Sequence, residues 1–187
     1  MPSNSLRTWS ASRKQCLDAI DIQCAASIAT LPANPLLAEE NVRGYGLLLS
    51  AHFQGFCRDL YTEAAQVISS KVRLSLRSLV QRQFGYQCMI DHGNPTNHNI
   101  KKDFSRLGGK FNFSDSDPAN AVRLGHLNSL NVWRNIAAHH GYVPAGGVPD
   151  LADLRGWRKS CDGLATSLDE IVYNRLRVLL RREPWTP

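Results

Sequence analysis

Leu127-Asn128-Ser129-Leu130-Asn131-Val132-Trp133-Arg134-Asn135-Ile136-Ala137-Ala138-His139-His140-Gly141 is the stretch from which the rest of the chain is read. As a helix turning about 100° per residue, it sets Asn128, Asn131, Asn135 and His139 along one ridge. Arg134 flanks that ridge, and Val122, Leu130, Trp133, Ile136 and Ala137 form the apolar stripe opposite. Asparagine is a mediocre helix former that proteins keep for caps and turns. Three asparagines closed by a histidine therefore make an uncommon helix face. The plainer account is a solvated face running out into a glycine C-cap at Gly141, with histidines suited to the last turn.

Upstream, Leu6, Trp9, Leu17, Ile20, Cys24 and Ile28 recur at helical spacing, predicting an amphipathic helix over 5–30 closed by Leu31-Pro32. Asn34-Pro35 supplies an N-cap with proline at the first helical position. A long helix follows, its stripe made of Val42, Tyr45, Leu49, Phe53, Phe56, Leu60, Ala64 and Val67. Gly44, Gly46 and Gly55 weaken it locally, which predicts a neighbouring helix coming close. His52, beside the stripe, reads as a hydrogen-bonded core histidine.

Residues 71–84 predict a shorter amphipathic helix. Val72, Leu76, Leu79 and Val80 share one side, and Lys71, Arg73, Arg77 and Arg82 take the rest without any acid. Such a run is commonly a solvated face, and it is also where an RNA backbone would lie. Residues 85–118 are broken by Gly93-Asn94-Pro95, Gly108-Gly109 and Asp115-Ser116-Asp117-Pro118, with room for a short helix near Asn97 to Leu107. Asp117-Pro118 caps the motif helix. Beyond Gly141, residues 143–149 form a loop and a final helix runs from about Pro149 to Leu180 on Leu151, Leu154, Trp157, Cys161, Leu164, Leu168, Ile171, Val172 and Leu179. The architecture predicted is all-α, a bundle of four to five main helices in one domain over 1–187. Within it, 1–34 is an N-terminal helix and linker, 35–180 the core bundle and 181–187 a tail.

With 187 residues, 43% hydrophobic and 20% charged, the composition is globular. No apolar run is long enough for a membrane span, so a soluble cytoplasmic protein is expected. The five cysteines are scattered and lack a C-x-x-C pair, as small buried hydrophobes of a reducing compartment would be. Cys88, His92 and His98 match no zinc spacing. No metal site and no cofactor are expected. The net charge is +6 and 16 of the 22 basic residues are arginine. That balance favours a polyanion, and the guanidinium fork suits phosphate.

There is no paired-carboxylate constellation and no serine or cysteine with an evident base. Reactive chemistry is confined to Arg134, Asn135 and His139. RNA carries its own nucleophile in the 2′-OH, so cleavage needs only proton transfer and charge stabilisation. Histidine can move protons near neutral pH, and arginine holds charge on the phosphate oxygens.

Arg134-Asn135-Ile136-Ala137-Ala138-His139 resembles the Arg-Asn-x-x-x-His signature of the HEPN superfamily, small all-α proteins many of which are metal-independent RNases. Gly46 to Leu60 resembles the early long helix of stand-alone RiboL-PSP-HEPN proteins, and the resemblance spans roughly 36–180. It implies a homodimer whose motif helices pair across a two-fold axis, forming a composite site that leaves 2′,3′-cyclic phosphate and 5′-hydroxyl ends. In that scheme Arg134 holds the phosphate, His139 moves protons, and Asn135 orients the backbone or the 2′-OH. Lys71, Arg73, Arg77, Arg82, Asn128 and Asn131 are the expected RNA contacts. A toxin or defence role would add an antitoxin protein as a partner. AMPylated members place a tyrosine two residues after the histidine; here Gly141 stands there and Tyr142 follows, so that control is not expected from His139, whereas counting from His140 restores His-x-Tyr with a histidine off the amide ridge. The alternative is a HEPN module without catalysis that binds RNA, a nucleotide or a partner protein.

Overall fold

In the computed structural model, which describes residues 1–30, 34–139 and 148–185, helices are the regular secondary structure of the described residues. Helix α1 (Asn4–Thr8) passes through a π-type turn at Trp9–Arg13 into α2 (Lys14–Ala29). Then come α3 (Pro35–Ser69), α4 (Leu74–Gly85), the single-turn α5 (Met89–His92) and α6 (Asn97–Ser105). The motif helix α7 (Asn120–His139) and the long α8 (Leu151–Leu180) complete the bundle.

Caps fix the boundaries of the long helices. The Asn34 side chain accepts the Leu37 amide at 3.1 Å, with Pro35 in the first turn of α3. Asp150 and Asp153 exchange hydrogen bonds with each other's amides in a capping box that starts α8. Asp117 accepts the Ala119 amide at 2.9 Å and pairs with Arg123 at 2.6 Å, opening α7. At the N-terminus, the Asn4 and Ser5 amides donate to the Glu63 carboxylate, and Ser3 donates to buried Asp169. Carboxylates placed against the unpaired amides of a helix start are favourable.

Helix α3 is the spine, touching α1, α2, α4, α7 and α8. Its stripe from Val42 to Ala64 is buried, and Trp9 packs edge-to-face against Phe53 and at a tilt against Phe56. Trp9, Leu17 and Cys24 from the N-terminal segment join the same cluster as Leu154, Leu164, Leu168 and Trp185. Four cysteines are buried and Cys16 is exposed.

Of the three glycines, Gly46 meets the expectation of close approach most directly. A Cβ there would stand 2.8 Å from the Trp133 ring. At Gly55 the space is filled by the Arg13 guanidinium, which also pairs with Asp59 at 2.6 Å and approaches His52 Nδ1 at 3.5 Å. At Gly44 a Cβ would meet nothing within 4 Å among the described residues, so no close approach there is seen. Leu179 and Ile28, expected in buried stripes, are exposed.

Candidate active site

Helix α7 buries Leu127, Leu130, Trp133 and Ala137 against α8 and α3. The buried face is centred nearer Leu127 than the pattern from Val122 implied. Val122 is 65% exposed as a result, and Ile136 is half-buried. The outer face carries Gly125, Asn128, Ser129, Val132, Asn135 and His139.

The asparagine ridge divides. Asn128 and Asn135 face solvent, while Asn131 is 4% exposed. A step of three residues falls about 60° short of a full helical turn, which swings Asn131 toward the core side. There its Nδ2 donates to the Pro95 carbonyl at 3.4 Å. Asn131 is thus a packing residue under the 93–95 turn and not an exposed RNA contact. A fourth amide of this helix, Asn120, is wholly buried. It donates to the Phe113 carbonyl at 3.0 Å and accepts from Arg123 and Ser167.

Arg134 is half-buried and donates through NH1 to Asn135 Oδ1 at 3.3 Å. The same oxygen receives Asn94 Nδ2 at 2.9 Å. His139 is exposed and ends α7, one turn beyond Asn135. Arg134, Asn135 and His139 therefore all lie in the last two turns of α7, with the Gly93-Asn94-Pro95 turn against Asn135. Sequence patterns did not single out Asn94 or Pro95, because they sit in a segment that carries only breaker residues. His140, Gly141 and Tyr142 lie outside the described residues.

The basic segment stands apart. In α4 no residue is buried; of the expected stripe, Leu76 and Leu79 are 47% and 61% exposed, while Val72 and Val80 are half-buried. The apolar stripe expected on this helix is thus largely uncovered. Lys71, Arg73 and Arg82 are exposed, while Arg77 is half-buried and donates to the Ser70 carbonyl at 3.1 Å. Helix α4 folds back along α3, with Phe84 against Tyr61. Gln54 of α3 holds the 93–95 turn. At 1.5 Å rise per residue, Gln54 and Ser70 are about 24 Å apart along the direction of α3, so Lys71 and Arg73, next to Ser70, do not line the motif end of α7. A cleft of about 230 Å³ opens between α3 and α4, lined by Tyr61, Gln66, Gln81, Phe84 and Cys88.

The Cys88 thiol is buried and donates to Asp103, and burial followed by that carboxylate pushes it up to about 12. Asp103 also accepts the Met89 and Ile90 amides, which makes this cluster the organiser of α5. His92 and His98 are both exposed. The His52 imidazole is held below its ordinary range by burial and by the Arg13 charge.

Among the described residues, no helix is long and apolar enough to cross a membrane. No curated protein and no solved structure matches the chain. The family model described as RiboL-PSP-HEPN matches residues 10–174, beginning ahead of the span suggested by the motif and taking in α2. HEPN domains are RNase-like or RNA-binding modules that commonly bind RNA and dimerise. With α3, α7 and most of α8 inside the match, the chain belongs to the RiboL-PSP-HEPN family.

Proposed function

We propose that the chain is a metal-independent endoribonuclease of toxin or defence type, acting as a homodimer on RNA. The observation that carries this reading is the grouping of Arg134, Asn135 and His139 at the exposed end of α7. Arg134 has one edge on Asn135 and holds the scissile phosphate as a fixed cation. His139 takes the 2′-OH proton or gives one to the departing 5′-oxygen. Each chain has one such histidine at the motif. A second copy across a two-fold axis supplies the other proton-transfer group, with the 2′-oxygen attacking phosphorus and the 5′-oxygen leaving.

The outer face of α7 suits that pairing. Val122, Gly125, Ser129 and Val132 are small or apolar and exposed, and a Cβ at Gly125 would meet nothing within this chain. Closely approaching helices need such a surface. The exposed cations of α4 then hold RNA backbone away from the cleavage point.

The deciding experiment incubates purified protein with total RNA in EDTA and maps the ends. New 2′,3′-cyclic phosphate and 5′-hydroxyl ends are expected, at a rate the chelator leaves intact. Cleavage that vanishes in EDTA and returns with magnesium refutes the metal-independent mechanism. Binding without cleavage leaves the module a binder of RNA.

A further inference from the structure

We infer that Asn94 is a positioning residue of this site: it fixes the Asn135 carboxamide so that its N–H₂ group faces the RNA and donates to a scissile phosphate oxygen. The inference rests on the ribonuclease reading above and goes beyond it by giving Asn135 a donor role and naming what sets it.

The argument is one of hydrogen-bond polarity. A guanidinium carries donors only, so the Asn135 atom facing Arg134 NH1 at 3.3 Å is the oxygen. Asn94 Nδ2 donates to that same oxygen at 2.9 Å. With both donors on Oδ1, the Asn135 nitrogen turns the other way. It has no acceptor among the described residues and its side chain is exposed. An exposed N–H₂ beside an arginine is arranged for an anionic oxygen, and it would not accept the 2′-OH proton.

Asn94 can impose this because its turn is held at every carbonyl. Gln54 Nε2 of α3 donates to the Gly93 carbonyl at 2.9 Å and to that of Ile90 at 2.8 Å. Asn99 Nδ2 of α6 donates to the Asn94 carbonyl at 2.8 Å. Asn131 Nδ2 of α7 reaches the Pro95 carbonyl, and Pro95 itself is buried. Three amide side chains from three helices thus clamp three consecutive carbonyls. The only turn side chain sent to the motif is that of Asn94. A surface loop serving packing alone has no need of such a frame, whereas preorganised donors are what a charge-developing site requires.

The test compares Asn94→Asp with Asn94→Ala in the full chain. Aspartate keeps the shape but can only accept, so Asn135 rotates to donate to it and presents its oxygen to the phosphate. Asn94→Asp is expected to lose ~10²-fold in kcat, and Asn94→Ala only about tenfold, the scale of one lost hydrogen bond. KM and the melting temperature should move little in both. A packing role predicts the opposite order, with alanine the worse substitution, and that order overturns the inference. A second readout is independent of turnover: the Asn135 side-chain amide signals of the wild type, followed by NMR while an RNA carrying 2′-deoxy at the cleaved position is added. The signals should shift in the wild type and not in Asn94→Asp. Shifts that are equal in both overturn the inference even if the protein cleaves RNA. A wild type that never cleaves refutes the ribonuclease reading, while the amide signals still decide the role of Asn94.

Discussion

The ends of α7 and α4 present the same ingredients, arginine beside polar and apolar side chains at helical spacing, and the fold treats them differently. At the end of α7 the stripe is buried, Trp133 fills the gap above Gly46, and a braced turn reaches Asn135. In α4 nothing is buried, and its arginines hang on a helix that touches chiefly α3. Charge that is to act on a reacting atom needs a rigid frame, because small displacements cost rate steeply. Charge that merely attracts a backbone does not. The contrast suggests that α7 carries chemistry and α4 carries affinity, and the following substitutions probe that division.

The largest effect belongs to His139. His139→Ala should lower cleavage by ~10²- to 10⁴-fold, the range of a lost general acid or base, with the melting temperature nearly unchanged because the side chain is exposed. Single-turnover rates and thermal unfolding on one preparation check both halves. Normal cleavage by this variant would transfer the proton role to another group, such as His140.

Gly46→Ala tests the frame. The added methyl would stand 2.8 Å from Trp133 Cδ1 and 2.9 Å from Nε1, so a buried indole must shift next to Arg134. Overpacking of this kind costs about 1–3 kcal/mol, measurable as a lower urea midpoint, and the cleavage rate should fall with it. The matching change at Gly44, where a Cβ meets nothing, should be neutral or slightly stabilising. Equal behaviour at both positions would remove the special contact from the account.

At α4, Arg73→Glu with Arg82→Glu alters two exposed cations whose side chains make no hydrogen bond or ion pair among the described residues, leaving the tethered Arg77 in place. RNA affinity should fall, and the slope of log K against log salt should shrink by about 2, roughly one unit per phosphate contact. The rate for bound RNA should hold. If the slope stays unchanged, α4 is ordinary solvated surface.

How much of this was legible in the sequence follows from where the information sits. Asn34-Pro35 and Asp117 announce helix starts by local chemistry, and the stripes of α3 and α8 repeat often enough that packing had one good solution. That Arg134, Asn135 and His139 share the end of one helix was legible too, since local periodicity fixes it. What depended on a second element was not. Asn131 looks identical to Asn128 until the 93–95 turn covers it, and that turn takes its shape from Gln54 and Asn99, remote or unpatterned in sequence. Likewise the stripe of α4 reads as core because periodicity records which side is apolar, and not whether anything lies against it.

The smallest effect separates the supporting core from the site. His52 packs beside Arg13, and burial together with that charge holds its imidazole below the ordinary value of 6.5. The unfolded chain therefore binds this proton more readily than the folded one. By linkage, the stability associated with neutral His52 is fully present above about pH 6.5 and is lost as the pH falls from there through the folded-state value. His52→Gln keeps a polar side chain and removes the titration, so the difference in unfolding free energy between wild type and variant should shrink as the pH drops below 6.5. Half-buried Asp162 and buried Asp169 are raised by desolvation and act with the opposite sign, losing stabilisation as the pH rises, but they are common to both proteins and cancel in the difference. Urea unfolding across pH 5 to 8 measures it. A constant difference would mean that His52 is equally protonated in both states and that Arg13 does not bear on it. Since no hydrogen bond or ion pair joins either residue to α7 among the described residues, the pH profile of cleavage should be the same in wild type and variant once stability is matched; a shifted profile would make the α3 histidine part of the chemistry and end the separation drawn here between frame and site.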